Sequence, residues 1–265
     1  MLIDIDNPDY KPEVNPIISH SRLAKVYQFR PPYLDDFFKI SSEKMCLNQE
    51  SSLLDLCCGR GELASRFSPF VKSIVAIDGS EEMLNNRIQC ENIKYIKRDI
   101  NLNGISVNSQ FNFVVIGSAI HLIKREHIRS LIENSIMEEG GILITHTLFK
   151  YDPSYVERLH HVNSIFGRTL SNFVDLQGKN KMEDLGYELV DKIRIEKEVN
   201  FGIEYLINNQ LSYAYHEFYN RLVKDIEEYK RSLKLALAPY SVKGKLSARL
   251  INWGLIYKKS KADMD

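Results

Sequence analysis

LLDLCCGRGELASRF, residues 53–67, joins an apolar run to a glycine turn and then to a helix start. Leu53-Leu54-Asp55-Leu56 reads as the end of a buried strand, and Glu62 to Phe67 as the first turns of a helix. Between them, Gly59 and Gly61 tolerate backbone angles that other residues avoid. A strand, a glycine turn and a helix N-terminus make a place where a ligand can lie against bare backbone.

Outward from this stretch, strands and helices alternate. KSIVAIDGS (72–80) is an apolar strand ending in an acid and a glycine, followed by a short helix, EEMLNNRIQ (81–89), with acids at its N-terminal end. IKYIKRDI (93–100) alternates like a strand, and FNFVVIGSAIHLI (111–123) is another. EHIRSLIENSIM (126–137) puts Ile128, Leu131, Ile132 and Ile136 on one helical face, Gly140-Gly141 stop that helix, and ILITHTLF (142–149) is a fifth strand. This alternation predicts an α/β fold with a doubly wound, parallel sheet. Such sheets bind ligands at the carboxyl ends of their strands. Asp55 ends the first strand, Asp78 the second, Asp99 the third, Gly117-Ser118 the fourth and His146 the fifth. The strand pattern thus gathers the polar residues on one edge.

The flanks read differently. Residues 1–20 are polar and Pro-punctuated, a loosely held arm, and 21–40 suggest two short helices, with Ser21 capping the first and Pro32 starting the second. Beyond 150, Asp152-Pro153 opens a helix that ends at Gly167. Residues 182–201 read as a helix end followed by a long strand. Residues 203–240 read as helical, with Phe218, Leu222, Ile226, Tyr229 and Leu233 on a stripe, and ARLINWGLIYKKS (248–260) closes as a strand. The division expected is an N-terminal arm with helices over residues 1–45 and a main domain over 46–265. Helical segments at about 151–180 and 203–240 would cap the sheet edge and define an acceptor pocket.

Composition narrows the function. The 265 residues are 44% hydrophobic, and 35 acids balance 35 bases. No basic surplus suggests nucleic acid, no apolar run approaches a membrane span, and no signal peptide opens the chain. Cys46, Cys57, Cys58 and Cys90 form no C-x-x-C pair, so neither a disulfide framework nor a metal site is expected. A cytoplasmic protein with reduced thiols is the expectation.

Two ligand classes fit a Gly-x-Gly turn followed by an acid. Gly59 to Ala64 satisfies the loose dinucleotide pattern, and Asp78 stands at about the expected distance from it, which leaves a nicotinamide-dependent oxidoreductase as one reading. More positions support another. LLDLCCGRGELASRF, VAIDGSEEML (75–84), IKRDI (96–100), FNFVVIGSAIHLI and EEGGILIT (138–145) resemble, in order and spacing, the motifs of class I S-adenosylmethionine-dependent methyltransferases. AKVYQFRPPY (24–33) is similar to the stretch that precedes the domain in small-molecule members resembling trans-aconitate methyltransferases, and residues 185–199 and 248–259 look like the family's last two strands.

The resemblance implies a Rossmann-like, mostly parallel seven-stranded sheet and S-adenosylmethionine as cofactor. It implies that Gly59 and Gly61 let backbone approach the amino-acid end of the cofactor, and that Asp55 orients that loop or accepts from the ammonium. Asp78, with Gly79 beside it, would take the ribose hydroxyls. Met83 would pad the adenine, and Asp99 would accept from the adenine amino group beside Ile100. Gly117 and Ser118 would lie near the ammonium and sulfonium, Arg30 would meet the cofactor carboxylate and Tyr27 would flank the methyl. Cys57 stands where the family commonly has Gly, Asn112 where an Asp often opens the fourth strand, and Ile120-His121-Leu122 lacks the Trp that often follows the His. The expected reaction is methyl transfer to a small-molecule acceptor through O, N or a carboxylate, with His146 and His121 as base candidates. A methyltransferase acting on RNA or protein is the further alternative, although GSAIHL (117–122) replaces the Asn/Asp-Pro-Pro-aromatic site such amine-modifying enzymes carry. Oligomeric state is not legible.

Overall fold

The computed structural model describes residues 26–103, 110–167, 182–213 and 225–260. The arm, Ser21, Phe218, Leu222 and parts of both cap segments lie outside these residues.

The chain forms a seven-stranded sheet in the order β3-β2-β1-β4-β5-β7-β6. Its strands are β1 (Ser52–Leu56), β2 (Ser73–Asp78), β3 (Ile93–Lys97), β4 (Phe111–Gly117), β5 (Ile136–Tyr151), β6 (Tyr187–Gly202) and β7 (Lys245–Lys259). The first five pair in parallel, and β7 runs antiparallel between β5 and β6. Its helices are α1 (Asp35–Lys44), α2 (Glu62–Phe67), α3 (Glu81–Asn85), α4 (Ile100–Asn103), α5 (Arg125–Ser135), α6 (Pro153–Ile165), α7 (Ile203–Ser212) and α8 (Ile226–Leu237).

Strand alternation divides the core between the two faces. Phe113 and Val115 pack with Leu53, Ile74 and Leu143 against Phe37 and Phe38 of α1 and Leu63 and Phe67 of α2. Val114 and Ile116 pack the other way with Leu54, Leu56 and Ile144, against Ile100 of α4 and Ile128 of α5. The doubly wound α/β arrangement expected from sequence is therefore the observed one.

Several element ends differ from the sequence reading. The helix after Pro32 begins only at Asp35, because residues 31–34 stay extended and give their polar atoms to the sheet. α5 ends at Ser135, and Ile136 starts β5; Gly140-Gly141 do not stop a helix but lie inside a strand. A Cβ on Gly140 would sit 2.5 Å from the Asn112 carbonyl oxygen, and one on Gly141 2.4 Å from that of Tyr257, so only glycine fits these close strand approaches. β3 stops at Lys97, two residues before Asp99, and β5 runs past His146 to Tyr151.

That overrun shapes the second half of the molecule. β5, β6 and β7 extend together, with Tyr151 opposite Ala248 and Val199 opposite Ala248 from the other side. The extended ends carry a third core: Phe201, Leu246 and Ala248 pack with Tyr155 and Leu159 of α6, Leu206 and Ile207 of α7 and Tyr229, Leu233 and Leu237 of α8. Asp152 caps α6, accepting from the Ser154 amide at 2.8 Å.

The segment from Phe29 to Leu34 crosses the sheet between these two halves. Asn209 Nδ2 donates to the Phe29 carbonyl at 2.8 Å, and the Arg30 guanidinium donates to the Ser212 carbonyl at 2.7 and 3.2 Å. Asn252, fully buried on β7, accepts from the Leu34 amide at 2.6 Å and donates to the Pro32 carbonyl at 3.1 Å and to Thr147 Oγ1 at 2.7 Å. Asn252→Leu keeps the volume but strands the Leu34 N–H away from water and leaves the Pro32 carbonyl with the Thr147 hydroxyl alone. It is expected to lower the unfolding free energy by about 2–4 kcal/mol, read as the shift in urea midpoint at unchanged slope.

Candidate functional site

The turn after β1 depends on left-handed backbone. Cys57, Gly59 and Gly61 have φ of 54°, 58° and 85°. Cys57 therefore holds a conformation that glycine adopts at lower cost, at the position where glycine was expected. Gly61 is needed for space as well: a Cβ there would collide with the Tyr95 hydroxyl, which donates to the Ile88 carbonyl at 2.7 Å. A Cβ on Gly59 would come within 3.3 Å of the Tyr27 hydroxyl, so Tyr27 lies over the turn.

Two carboxylates hold this turn. Asp55 Oδ2 accepts from the Ala64 amide at 3.1 Å, which ties β1 to α2. Asp78 Oδ2 accepts from the Gly59 amide and Oδ1 from the Ser80 amide, each at 2.8 Å, so one side chain joins the turns after β1 and β2. This structural duty of Asp78 has no signature in the sequence. Asp99 Oδ1 accepts from the Asn101 amide at 2.8 Å and starts α4. Gly79 packs beside Asp99, its hypothetical Cβ 3.5 Å from the Asp99 Cα, and Met83 and Ile100 are both buried. The acids meet at one edge. Burial pushes the Asp55 carboxyl well above the usual range, with the charges of Asp78 and Glu62 adding to it. Burial also raises Asp78, with Asp99 adding to the shift against two opposing amide bonds.

Gly117 ends β4 where a Cβ would collide with Leu63 and approach the Tyr33 hydroxyl to 3.3 Å. Ser118 follows with φ of 53°, its amide donating to the Thr145 carbonyl at 2.8 Å. Its hydroxyl lies 2.5 Å from Nδ1 of His146. His146 is mid-strand rather than at a strand end, yet the parallel pairing of β4 with β5 stops at Gly117 and Thr145, so the ring emerges where the parallel sheet gives out. Burial, then Arg30 and His121, push His146 down to about 4, so it is neutral at pH 7. His121, exposed in the turn after β4, is also lowered, by partial loss of water and then by Arg30. The Arg30 guanidinium lies 5.4 Å from the Tyr27 ring centroid and 4.1 Å from that of Tyr213. Tyr33, Thr145 and Asn252 were not singled out from the sequence as part of the site. All three stood inside quoted stretches, AKVYQFRPPY, EEGGILIT and ARLINWGLIYKKS, but nothing local marked their roles. Asn112 is structural, its Oδ1 accepting from the Ser52 amide at 2.8 Å.

Asp55 Oδ1 is buried and has no hydrogen-bond partner among the described residues. An acceptor left over at the glycine turn suits a ligand that brings N–H donors. Asp78 and Asp99, whose oxygens keep further lone pairs, suit one that brings hydroxyls and an amino group. S-adenosylmethionine carries all three. The four cysteines are free, and no cluster of metal-ligating side chains occurs among the described residues. No helix among them is long and apolar enough to cross a membrane.

Residues 53–137, the span from β1 through α5 to the start of β5, match the methyltransferase domain family. A probable cobalt-precorrin-6B C(15)-methyltransferase (decarboxylating) of Methanococcus maripaludis is 24% identical over 155 residues, 53% of this chain and 82% of that one. The fold is shared with a structure assigned as a type II methyltransferase from Anaeromyxobacter dehalogenans (TM-score 0.66, 12% identity, 87% of this chain and 97% of that chain). It is also shared with YjhP of E. coli (TM-score 0.50, 16% identity, 91% and 98%).

The raised carboxyl of Asp55 has a consequence for stability. The folded state holds this proton more tightly than the unfolded chain, so the contribution is full below about pH 4 and is lost as pH rises through the raised pKa. Asp55→Asn keeps an acceptor for Ala64 and removes the titration. Between pH 4 and pH 7 the stability difference is expected to move in favour of the variant by at least roughly 1 kcal/mol, the worth of one pKa unit, measured by chemical unfolding without ligand.

Proposed function

We propose that this S-adenosylmethionine-dependent methyltransferase transfers the methyl to a small-molecule acceptor held between the strand ends and the helices α6, α7 and α8. The observation that carries the site is the meeting of Asp55, Asp78 and Asp99 at one sheet edge beside the glycine turn, with one carboxylate oxygen buried and unsatisfied. The cofactor supplies a methyl already activated by its sulfonium.

Asp78 takes the ribose hydroxyls on lone pairs that the amides of Gly59 and Ser80 leave over, so the same side chain shapes the turn and reads the ligand. Asp55 Oδ1 takes an N–H of the ammonium. Asp99, Met83 and Ile100 receive the adenine, and Gly79 keeps that edge open. Gly117 and Ser118 present backbone beside the amino-acid end. Arg30 meets the carboxylate; a guanidinium carries five N–H donors, and its grip on Ser212 does not exhaust them. Tyr27, lying over Gly59, flanks the transferred methyl.

The protein then has to align donor and acceptor and keep water out, a proximity effect. For a hydroxyl or amine acceptor, the lone pair forms the new bond to carbon while the carbon–sulfur pair returns to sulfur, and the acceptor's proton passes to neutral His146. A base pushed down to about 4 cannot ionise an alcohol beforehand. It can take the proton once methylation has made the oxygen strongly acidic, which is when the proton must leave. A carboxylate acceptor needs no base. His121, at the exposed rim, is the second base candidate.

A small acceptor is supported by the aromatic surroundings of the crossing segment, where Phe29 packs edge-on to Tyr205 at 5.4 Å and Phe149 lies 6.1 Å from Tyr205. It is also supported by the absence of a basic surplus and by the methanogen relative, whose name gives a cobalt-precorrin as its acceptor.

Asp78→Asn should weaken S-adenosylhomocysteine binding by about tenfold or more in calorimetry, on the worth of a charge-assisted hydrogen bond; an unchanged dissociation constant would remove the ribose role. With an acceptor in hand, His146→Gln should slow turnover by about a hundredfold while leaving cofactor affinity within a factor of two.

A further inference from the structure

β6 is the last strand of the sheet, and no described strand pairs with its outer edge. It is 16 residues long. A bare edge of that length offers a row of unpaired backbone N–H and C=O groups, which proteins ordinarily shorten, bulge or cover. A bulge between Leu189 and Asp191 interrupts β6 near its start; from there to Gly202 its register on β7 is unbroken.

The side chains of this unbroken part are sorted by charge. Ile193 and Ile195 turn to the α1 side, in one core with Phe37 and Phe38. Asp191, at the bulge, is held by Lys44 of α1 at 2.6 Å. Lys192, Arg194, Glu196 and Glu198 turn to the opposite face. On that face two bases are followed by two acids. Arg194 pairs with Glu196 at 2.5 Å, and Arg249 reaches the same carboxylate at 3.2 Å. Neither Lys192 nor Glu198 has an ion-pair partner among the described residues.

Bases before acids along one strand are complementary to the same strand run backwards. A second copy can add to this edge antiparallel, about a two-fold axis perpendicular to the sheet. Opposed residues must share a face, so the axis passes beside one residue and never between two. Beside Ile195, it sets Arg194 against Glu196 of the other copy and Lys192 against Glu198, each pair twice. Beside any other residue from 192 to 198, it opposes like charges: a charged residue meets itself, or Lys192 meets Arg194, or Glu196 meets Glu198. The two side chains without an ion-pair partner are thus the ones this axis brings together.

We propose that the outer edge of β6 is a homodimer interface, in which two copies of this chain continue one sheet across a two-fold axis at Ile195. The interface is isologous, the same patch on both copies. Backbone hydrogen bonds supply the attachment. Exposed ion pairs add little attraction; their work is to repel wrong registers and fix the right one. An edge of lysines alone would repel every partner, whereas this one repels every register centred on the charged stretch except that at Ile195. The proposal is independent of the acceptor and of the roles of the histidines.

The test is sedimentation equilibrium of the full chain and two charge-reversed variants. The wild type should associate as a dimer. Lys192→Glu/Arg194→Glu makes the row entirely acidic and Glu196→Lys/Glu198→Lys makes it entirely basic, so each alone should dimerise about a hundredfold more weakly. Circular dichroism matching the wild type shows that each is folded. Mixed together, the two variants should form a heterodimer, because every opposed pair is again of opposite sign. As a second reading that spares the charges, Ile195→Cys should cross-link to its own copy under mild oxidation, above the background that the native cysteines give in the wild type. Opposed Cα atoms in an antiparallel pair stand within disulfide range. A wild type that stays monomeric into the millimolar range overturns the proposal. So does a dimer that both reversals leave intact, or a mixture of the two variants that stays monomeric.

Discussion

Asn252 sits where the backbone of residues 32–34 passes over β5 and β7, in a place no water reaches. A chain that crosses a sheet there must find partners for its own N–H and C=O groups, since each unpaired group costs a few kcal/mol. One amide side chain supplies an acceptor and donors at once. Its position on β7 thereby decides where residues 29–34 lie. Tyr27, Arg30 and Tyr33 all hang from that segment. The glycine turn beneath Tyr27, the guanidinium near both histidines and the Tyr33 hydroxyl beside Gly117 share this one placement.

A second buried network ties the same segment to the helical layer. Tyr229 donates to Asn163 at 2.7 Å, Asn163 to Gln210 at 3.2 Å, Gln210 to Tyr151 at 2.8 Å and Tyr151 to Asn209 at 2.7 Å; Asn209 then donates to Phe29. The helices α6, α7 and α8 are therefore joined to the crossing segment by hydrogen bonds and to the extended strands by apolar packing. A buried network with its partners in place makes a stiff connection. Geometry at the strand ends is in this way coupled to the layer proposed to receive the acceptor.

In the proposed reading of the site, the acids serve both folding and ligand. Asp78 binds two backbone amides, one in the turn after β1 and one in the turn after β2. Asp55 binds one amide and leaves its other oxygen without a partner among the described residues. The cost of burying these groups falls on the empty protein, and a ligand that brings donors relieves it. That is a physical reason for the stability of the free protein to fall with rising pH while ligand affinity gains from the ionised forms.

The sheet was legible in the residues themselves. Apolar strands of alternating burial, short helices and Gly59-Arg60-Gly61 are local patterns, and they sufficed to put Asp55, Asp78, Asp99 and Gly117-Ser118 at one edge. The ends of α5 and β5 were misread because Gly140-Gly141 ordinarily break a helix, and only the approach of the Asn112 and Tyr257 carbonyls shows why glycine stands within a strand. The overrun of β5, β6 and β7 was hidden for a similar reason, since its partners come from residues up to about a hundred positions away. Local pattern determined that this chain builds an α/β sheet with an acidic, glycine-lined edge. What lies across that edge followed only from tertiary contacts, because Asn209 and Asn252 acquire their roles from the distant backbone groups of residues 29–34 whose hydrogen-bonding capacity they complete.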